Sequence, residues 1–554
     1  MRSRRRGPVG RDVGGTEPCN VTMRRVTDTS VDGALAELEE PALDTPLLPR
    51  VGKALHQPIF LAMATALVLF LTIILRQPYL VSTHMIAWGD DAVFAIEIDD
   101  AKHLRLVDGA NSRIGTSHPG PALFYVAAAA EAVLFDGLHA VPEPLNAHRI
   151  GYGALASFLF GWAAWLLANR TRPIETIVAL AALLCMLTVL PTVLSNSWLP
   201  YVYCMPFMLS VIAAGVVIAG DRRGVLPYTV ASWLLIHGHV GFLLNVGGMT
   251  AFVAVIVLWN HRNEVRAFLR RNRRTAAHAS LASAVFLFPM IVNLLVNWPS
   301  PWLDYYDYSK TAERDPRALR DVLAFVKYFL TWRGEVSVWL TPIVGALVIG
   351  LVAVVQRGDL RRFLTSILVA CGAALALFTI YATVGVDHLD EKYTGFYVLM
   401  VPATVVAVGM TALCHVAGRH AKSVAVAAAG AIVISATTSN VFVNHDRGDP
   451  QVGTLTTALQ TSPLREGRTV VLTFEHSTWP WAVGVMQQGS NTGLPVCFAD
   501  PTWSWFVTER FICSADQLST GWGLYMWPAS EAYRFQDRVA QSPATIVVSQ
   551  ISPS

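Results

Sequence analysis

Charge is what this chain has least of. Only 15% of its 554 residues are Asp, Glu, Lys or Arg, where a soluble domain carries about 25%. No stretch joins a basic surface to a soluble composition, which excludes nucleic acid as a partner class. Cysteine is also sparse, seven in all, and no spacing resembles a zinc motif. Cys185, Cys204, Cys371 and Cys414 lie in apolar runs and read as small buried hydrophobes. A cleavable signal peptide is not expected, because the first long apolar run lies too far into the chain and is too long. No internal repeat is evident, and the apolar runs carry few charges. Both points weigh against a transporter, which places ionisable groups near the bilayer midplane and often shows repeats.

What the chain has in abundance is apolar length. Hydrophobic residues make up 53% and mean hydropathy is +0.44. The first run, Gln57 to Leu75, is long enough to cross the hydrocarbon core. Further runs follow at Pro119–Phe135, Ile150–Ala168, Ile174–Leu194, Tyr201–Ala219, Leu226–Ile236, Phe242–Trp259, Leu281–Val296, Val338–Val355, Phe363–Thr383, Phe396–Cys414 and Val424–Ser435. The connectors Arg170–Arg172, Asp221–Arg223, His261–Arg274, Arg357–Arg362 and Arg419–Lys422 are basic and belong on the cytoplasmic side. They share that side only if Pro119–Phe135 fails to cross. The expected fold is a polytopic α-helical membrane protein with about eleven transmembrane helices and in-plane helices in its first external loop.

The ends differ from the middle. Residues 1–50 are polar, basic then acidic, and read as a disordered cytoplasmic tail. Residues 51–440 form the membrane domain, and 441–554 lose membrane character. In the last segment Thr469–Phe474, Leu494–Phe498 and Thr545–Ser549 read as strands and Trp481–Gln488 as a short helix, which makes a small extracytoplasmic α/β domain. Cys497 and Cys513 sit close together in an oxidising compartment and suit a disulfide.

The polar stretch Trp88–Tyr125, WGDDAVFAIEIDDAKHLRLVDGANSRIGTSHPGPALFY, holds more ionisable groups than a simple connector needs. Either Asp90 or Asp91 can act as a general base on an acceptor hydroxyl, with its partner orienting it or binding a metal. The same pair also suits the start of a helix. Arg113 can clamp a phosphate bidentately, and His118, stiffened by Pro119 and Pro121, can bond a phosphate or ligate a metal. Asn196 and Trp198 in an outer loop, His237 and His239 around Gly238, and Asp304 and Tyr305 in an aromatic loop are candidate sugar contacts. Asp387 and Lys392 in DHLDEKY repeat the mixture, Lys392 as a second phosphate ligand. Each has a plain structural alternative as a cap, an interface aromatic or a solvated charge. Their common location outside the membrane carries the reading.

The segments GDDAVFAIE, SRIGTSHPGPALFY and NSWLP resemble the GT-C class of membrane glycosyltransferases, which use polyprenyl-phosphate-linked sugars. The resemblance implies Asp90 as catalytic aspartate, Asp91 as the acidic residue after it, and inverting transfer from a lipid phosphate that leaves as an anion. It also implies a divalent cation (Mg, Mn or Ca) with Asp91 and His118 as candidate ligands. The Ala-, Val- and Arg-rich composition fits an actinobacterial envelope enzyme in the bacterial plasma membrane, with its N-terminus cytoplasmic. Arabinofuranose or mannose donors, and an envelope glycan, lipid or protein acceptor, follow from that. The competing reading is a transporter or flippase of a lipid-linked sugar.

Overall fold

A computed structural model describes residues 57–549, apart from 113–114, 189, 191, 264, 299–301, 312–317, 335–336, 357, 439, 445 and 535–537. The expected tail, residues 1–50, and Arg113 lie outside the described residues. The described residues form one compact unit.

The helices, in chain order, are α1 (Pro58–Arg76), α2 (Gly89–Lys102), α3 (Ala122–Glu131), α4 (Pro144–Ala168), α5 (Pro173–Leu187) and α6 (Leu199–Ile218). They continue with α7 (Val225–Gly238), α8 (Phe242–Asn260), α9 (Arg273–Val296), α10 (Trp302–Thr311), α11 (Leu319–Leu330) and α12 (Leu340–Val354). Next come α13 (Asp359–Val384), α14 (Lys392–Val416), α15 (Ala421–Thr438), α16 (Pro450–Thr461) and α17 (Trp479–Thr492). Seven of these, α1, α4, α6, α8, α9, α13 and α14, are long and apolar enough to cross a membrane, against the eleven crossings expected. Helices α5 and α12 are apolar but shorter, at 15 residues each.

The charged connectors sort to two ends of the bundle. At one end Arg170 Nε meets Asp221 Oδ2 at 2.8 Å, Arg223 reaches the same carboxylate at 3.5 Å, and Glu175 binds both Arg172 at 2.6 Å and His415 at 2.8 Å. At the other end lie the C-terminus of α1 and the N-terminus of α4. Gln77 Oε1 there accepts from Asn444 N at 3.0 Å, and Arg149 meets Asp91 and Asp446. Ala62 and Ala66 face Gly161 while Ile73 faces Gly153, so α1 and α4 run antiparallel. The intervening segment, 77–143, therefore leaves and returns at the same end. Helix α3 has ten residues, about 15 Å of rise, half of a hydrocarbon core. It ends in a π-helical turn at Ala132–Gly137. Its Glu131 is 5% exposed and satisfied by protein: Lys102 Nζ at 2.5 Å and His148 Nε2 at 2.7 Å. That knot ties α2, α3 and α4 together.

Past residue 449 the chain forms a five-stranded sheet of β1 (Val470–Phe474), β2 (Val496–Phe498), β3 (Trp522–Pro528), β4 (Arg538–Gln541) and β5 (Thr545–Ser549), in the order β2-β1-β3-β5-β4. β1 is parallel to β2 and β3, and β5 is antiparallel to β3 and β4. A parallel pair needs a crossover, and α17 supplies the one between β1 and β2. Val452, Leu455 and Leu459 of α16 and Ala482, Val483 and Met486 of α17 are fully buried with Leu472 and Leu524. Cys497 and Cys513 are joined, Cα atoms 5.0 Å apart, closing the loop that follows β2.

This region does not stand away from the helices. Trp88 and Trp481 rings lie 5.5 Å apart, Asn111 Nδ2 donates to Phe506 O at 3.2 Å, and Arg510 Nη1 meets Asp99 and Asp100 at 3.1 Å each. Helix α2 is thus held between α3 and α17, which is why seven of its residues beyond Gly89 are buried: Ala92, Val93, Ala95, Ile96, Glu97, Ile98 and Ala101.

Candidate functional site

The first turn of α2 places the two aspartates. Asp90 and Asp91 lie where the helix dipole is positive, and Lys102 closes the last turn. Gly89 begins the helix at φ +53°, a left-handed conformation that a side chain disfavours. Adjacent residues on a helix point about 100° apart, so the two carboxylates have different surroundings.

Asp91 is anchored. Its Oδ2 meets Arg149 Nη2 at 3.1 Å and its Oδ1 accepts from Ser197 Oγ at 2.8 Å. The Arg149 side chain is wholly buried, and it also binds the Asp446 carbonyl and Asp446 Oδ2, the latter at 3.1 Å. Both Asp91 oxygens are therefore committed.

Asp90 is an exposed residue whose carboxylate accepts a hydrogen bond from Trp198 Nε1 at 3.0 Å. Desolvation by the surrounding protein raises its pKa from the ordinary aspartate value. The Trp198 N–H works against that shift and the Asp91 charge adds to it. An exposed, lightly held carboxylate of raised basicity is the group that can take a proton. Trp198→Phe removes the opposing N–H, so the Asp90 pKa should rise further. The acid limb of the pH–rate profile should then move to higher pH, whereas an unmoved limb would detach Trp198 from the titrating group.

The NSWLP segment builds this clamp. Asn196 Oδ1 accepts from Trp198 N at 2.8 Å and its Nδ2 donates to Thr192 Oγ1 at 2.9 Å, which shapes the turn. Asn196 is thus a scaffold for the contacts Ser197 and Trp198 make. Trp198 continues to Tyr393 at 5.2 Å and Tyr201 at 5.9 Å between ring centroids. Beside Tyr393, Lys392 Nζ donates to the Leu389 carbonyl and lies 4.9 Å from the Phe325 ring and 5.7 Å from that of Tyr328. Asp387 sits in the loop between α13 and α14.

The histidines form a second group. His118 is buried, its ring 4.3 Å from that of His239 and its Nδ1 3.4 Å from Tyr305 Oη. Burial, then the His239 charge, hold its pKa well below the ordinary imidazole value. At neutral pH it is an uncharged hydrogen-bonding group, not a cationic phosphate clamp. Tyr305 Oη donates to Ser117 O at 2.6 Å, which lays α10 over the His118 segment. Asp304, next to it, is exposed. His237 holds backbone in place. Its Nδ1 accepts from Ala122 N at 3.2 Å and its carbonyl from Gly120 N. A Cβ on Gly120 would meet that imidazole at 2.3 Å, so the glycine of HPGP is required for the approach. His239 Nδ1 accepts from Gly241 N at 2.9 Å.

Among the described residues no three His, Cys, Asp or Glu side chains converge to hold a metal. Each Asp91 oxygen already has one protein partner, and His118 packs against the His239 ring. No chemical step is assigned to a divalent cation.

Two participants lie outside the candidates that the sequence marks. Arg149 stands at the edge of an apolar run, and its signal is a charge within the buried first part of α4. Ser197, inside NSWLP, has no signal of its own.

No family model matches the chain, and no curated protein does. Among solved structures, the crystal structure of the Archaeoglobus fulgidus oligosaccharyltransferase in complex with Zn and sulfate is similar over 84% of this chain and 68% of that chain, at 12% identity and a TM-score of 0.34.

Proposed function

We propose that this chain is a membrane glycosyltransferase that moves a sugar from a polyprenyl-phosphate donor, with inversion, to an envelope acceptor. The observation that carries the reading is the division of labour in one helical turn: Asp91 is locked to Arg149 and Ser197, while Asp90 is open and more basic than a free carboxylate. Asp90 takes the acceptor hydroxyl proton as the oxygen forms its bond to the anomeric carbon. The bond from that carbon to the phosphate oxygen breaks, and the phosphate departs with the electron pair. It is already an anion and needs cations rather than an acid. Lys392 and Arg113 are the proposed cations, and neutral His118 a hydrogen-bond donor. The donor sugar is proposed as arabinofuranose or mannose.

The proposed setting is a bacterial plasma membrane, with 51–440 as the membrane domain and 441–554 as the extracytoplasmic one. Eleven passages result when α5, α7, α12 and α15 are added to the seven long helices. The cluster around Asp221 then faces the cytoplasm and Asp90 the outside. In intact cells a cysteine at exposed Asp516 should react with an impermeant maleimide, and one at exposed Arg222 only after the membrane is opened. The reverse pattern would invert the topology.

The enzyme assay uses purified protein in nanodiscs with radiolabelled decaprenyl-phosphate-arabinose or decaprenyl-phosphate-mannose and a crude envelope acceptor. Transfer of label with release of decaprenyl phosphate is expected. No transfer from either donor would sink the reading.

A further inference from the structure

A line of aromatic rings leads away from Asp90 across the C-terminal region. Trp479 opens α17, and its indole comes within 3.8 Å of where a side chain on Gly89 would begin. From there ring centroids follow at 5.1 Å to Phe506, 6.0 Å to Trp503 and 5.8 Å to His476. The rings come from the start of α17, from the disulfide-closed loop and from the turn after β1. Trp479, Phe506 and Trp503 are half-buried and His476 is exposed, so the line is only partly covered. A cluster serving only as core would be covered, as Leu472, Ala482 and Leu524 are.

The borders of the line are acidic. Glu475 precedes His476 and accepts from Ser477 N at 2.8 Å; Asp500 precedes the Trp503 turn and accepts from Thr502 N at 2.9 Å. The cation of the same loop, Arg510, is spent on Asp99 and Asp100. Rings edged by carboxylates repel an anionic polymer. They suit a neutral polyhydroxylated ligand, whose C–H faces stack on the rings and whose hydroxyls donate to the carboxylates.

We propose that Trp479, Phe506, Trp503 and His476 form the acceptor-binding track and that the acceptor is a neutral saccharide chain, its terminal hydroxyl delivered to Asp90. This rests on the glycosyltransferase reading and selects glycan from among its possible acceptors. The disulfide between Cys497 and Cys513 closes the loop that carries Trp503 and Phe506, and Arg510 of that loop ties it to Asp99 and Asp100 of α2.

The test uses the full chain in detergent with two probes, an arabinan and a mannan oligosaccharide. Binding is read by tryptophan fluorescence in an Asp90→Asn background, where no turnover intervenes. One oligosaccharide should change the emission saturably. Trp503→Ala should weaken that binding on the order of tenfold, and Trp503→Tyr should restore most of it. In the transfer assay Trp503→Ala should raise the acceptor KM by a similar factor and leave donor KM alone. No binding of either oligosaccharide, or equal binding by Trp503→Ala, overturns the track. So does a Trp503→Ala protein that keeps saccharide binding and loses affinity for neutral phosphatidylcholine vesicles, which would mark a membrane-seated surface. Saccharide binding lost in Trp503→Ala, with no transfer from any donor in wild type, upholds the track and fails the glycosyltransferase reading. Normal transfer with an unchanged acceptor KM does the reverse.

Discussion

Asp90→Asn should reduce sugar transfer by about 10² to 10⁴, the usual contribution of a positioned base. The substitution preserves the shape of the first turn of α2 and keeps an oxygen acceptor for Trp198 Nε1. What it removes is the lone pair able to take a proton. The loss should fall on kcat, with donor affinity nearly unchanged, because the proposed phosphate contacts come from other elements. The raised pKa sets the pH dependence. Asp90 works as the anion, so the wild-type rate should fall as pH drops through its raised pKa. In Asp90→Asn that acid limb should vanish along with most of the rate. A variant with near wild-type turnover and an intact limb would end this assignment. Asp91 would be a poor substitute, being tied to Arg149, and the search would move to Asp304 and Asp387.

The clustering of charge makes the centre of the candidate site legible. Two aspartates opening a helix after an apolar run, in a loop with more ionisable groups than a connector needs, mark Asp90 and Asp91 from composition alone. What distinguishes them is not legible. Arg149 and Ser197 lie 58 and 106 residues away, and local periodicity carries nothing over such distances. Arg149 in particular resembles a residue reaching from a helix end toward the interface, yet its side chain is completely buried. His237 shows a contact of another kind that the sequence does not reveal. A histidine beside glycine at a helix end suggests a ligand contact, but the ring brackets the Gly120 backbone.

In the C-terminal region, the expected strands Thr469–Phe474, Leu494–Phe498 and Thr545–Ser549 appear as Val470–Phe474, Val496–Phe498 and Thr545–Ser549. The central strand β3 is not among the expected ones, although Trp522, Leu524 and Met526 alternate with half-buried Tyr525 and Trp527. Gly523 and Pro528 weaken its strand signal, and tertiary pairing on both sides outweighs them. The expected helix Trp481–Gln488 is longer, from Trp479 to Thr492, because Pro480 suits a first turn and Gly493, at φ +75°, ends it. The two added residues at its start bring Trp479 to the side of Gly89, so the extension bears on the site and not on the fold alone.

The largest stability effect should come from Arg149→Met. The side chain is 0% exposed and faces Asp91, 12% exposed, and Asp446, 49% exposed. Methionine fills much of the volume but leaves Asp91 with only the Ser197 hydroxyl. Removing one partner of a buried ion pair typically costs about 3–5 kcal/mol, mostly from the stranded charge. Asp446, half in water, should contribute little of that. The expected result is a clear fall in the thermal midpoint of the detergent-purified protein, together with weaker transfer, because α2 loses one of its ties to α4. Asp446→Asn should shift the midpoint far less. The double variant Arg149→Met, Asp91→Asn separates the pair from the rest: with no charge left to strand, it should melt above Arg149→Met alone. A double variant that melts no higher, with strictly additive losses, would mean that Asp91 and Arg149 are not coupled. Asp91 would then regain its claim to be the base. Recovery of stability without recovery of rate would leave Asp91 as the residue that positions α2, and Asp90 as the one that does the chemistry.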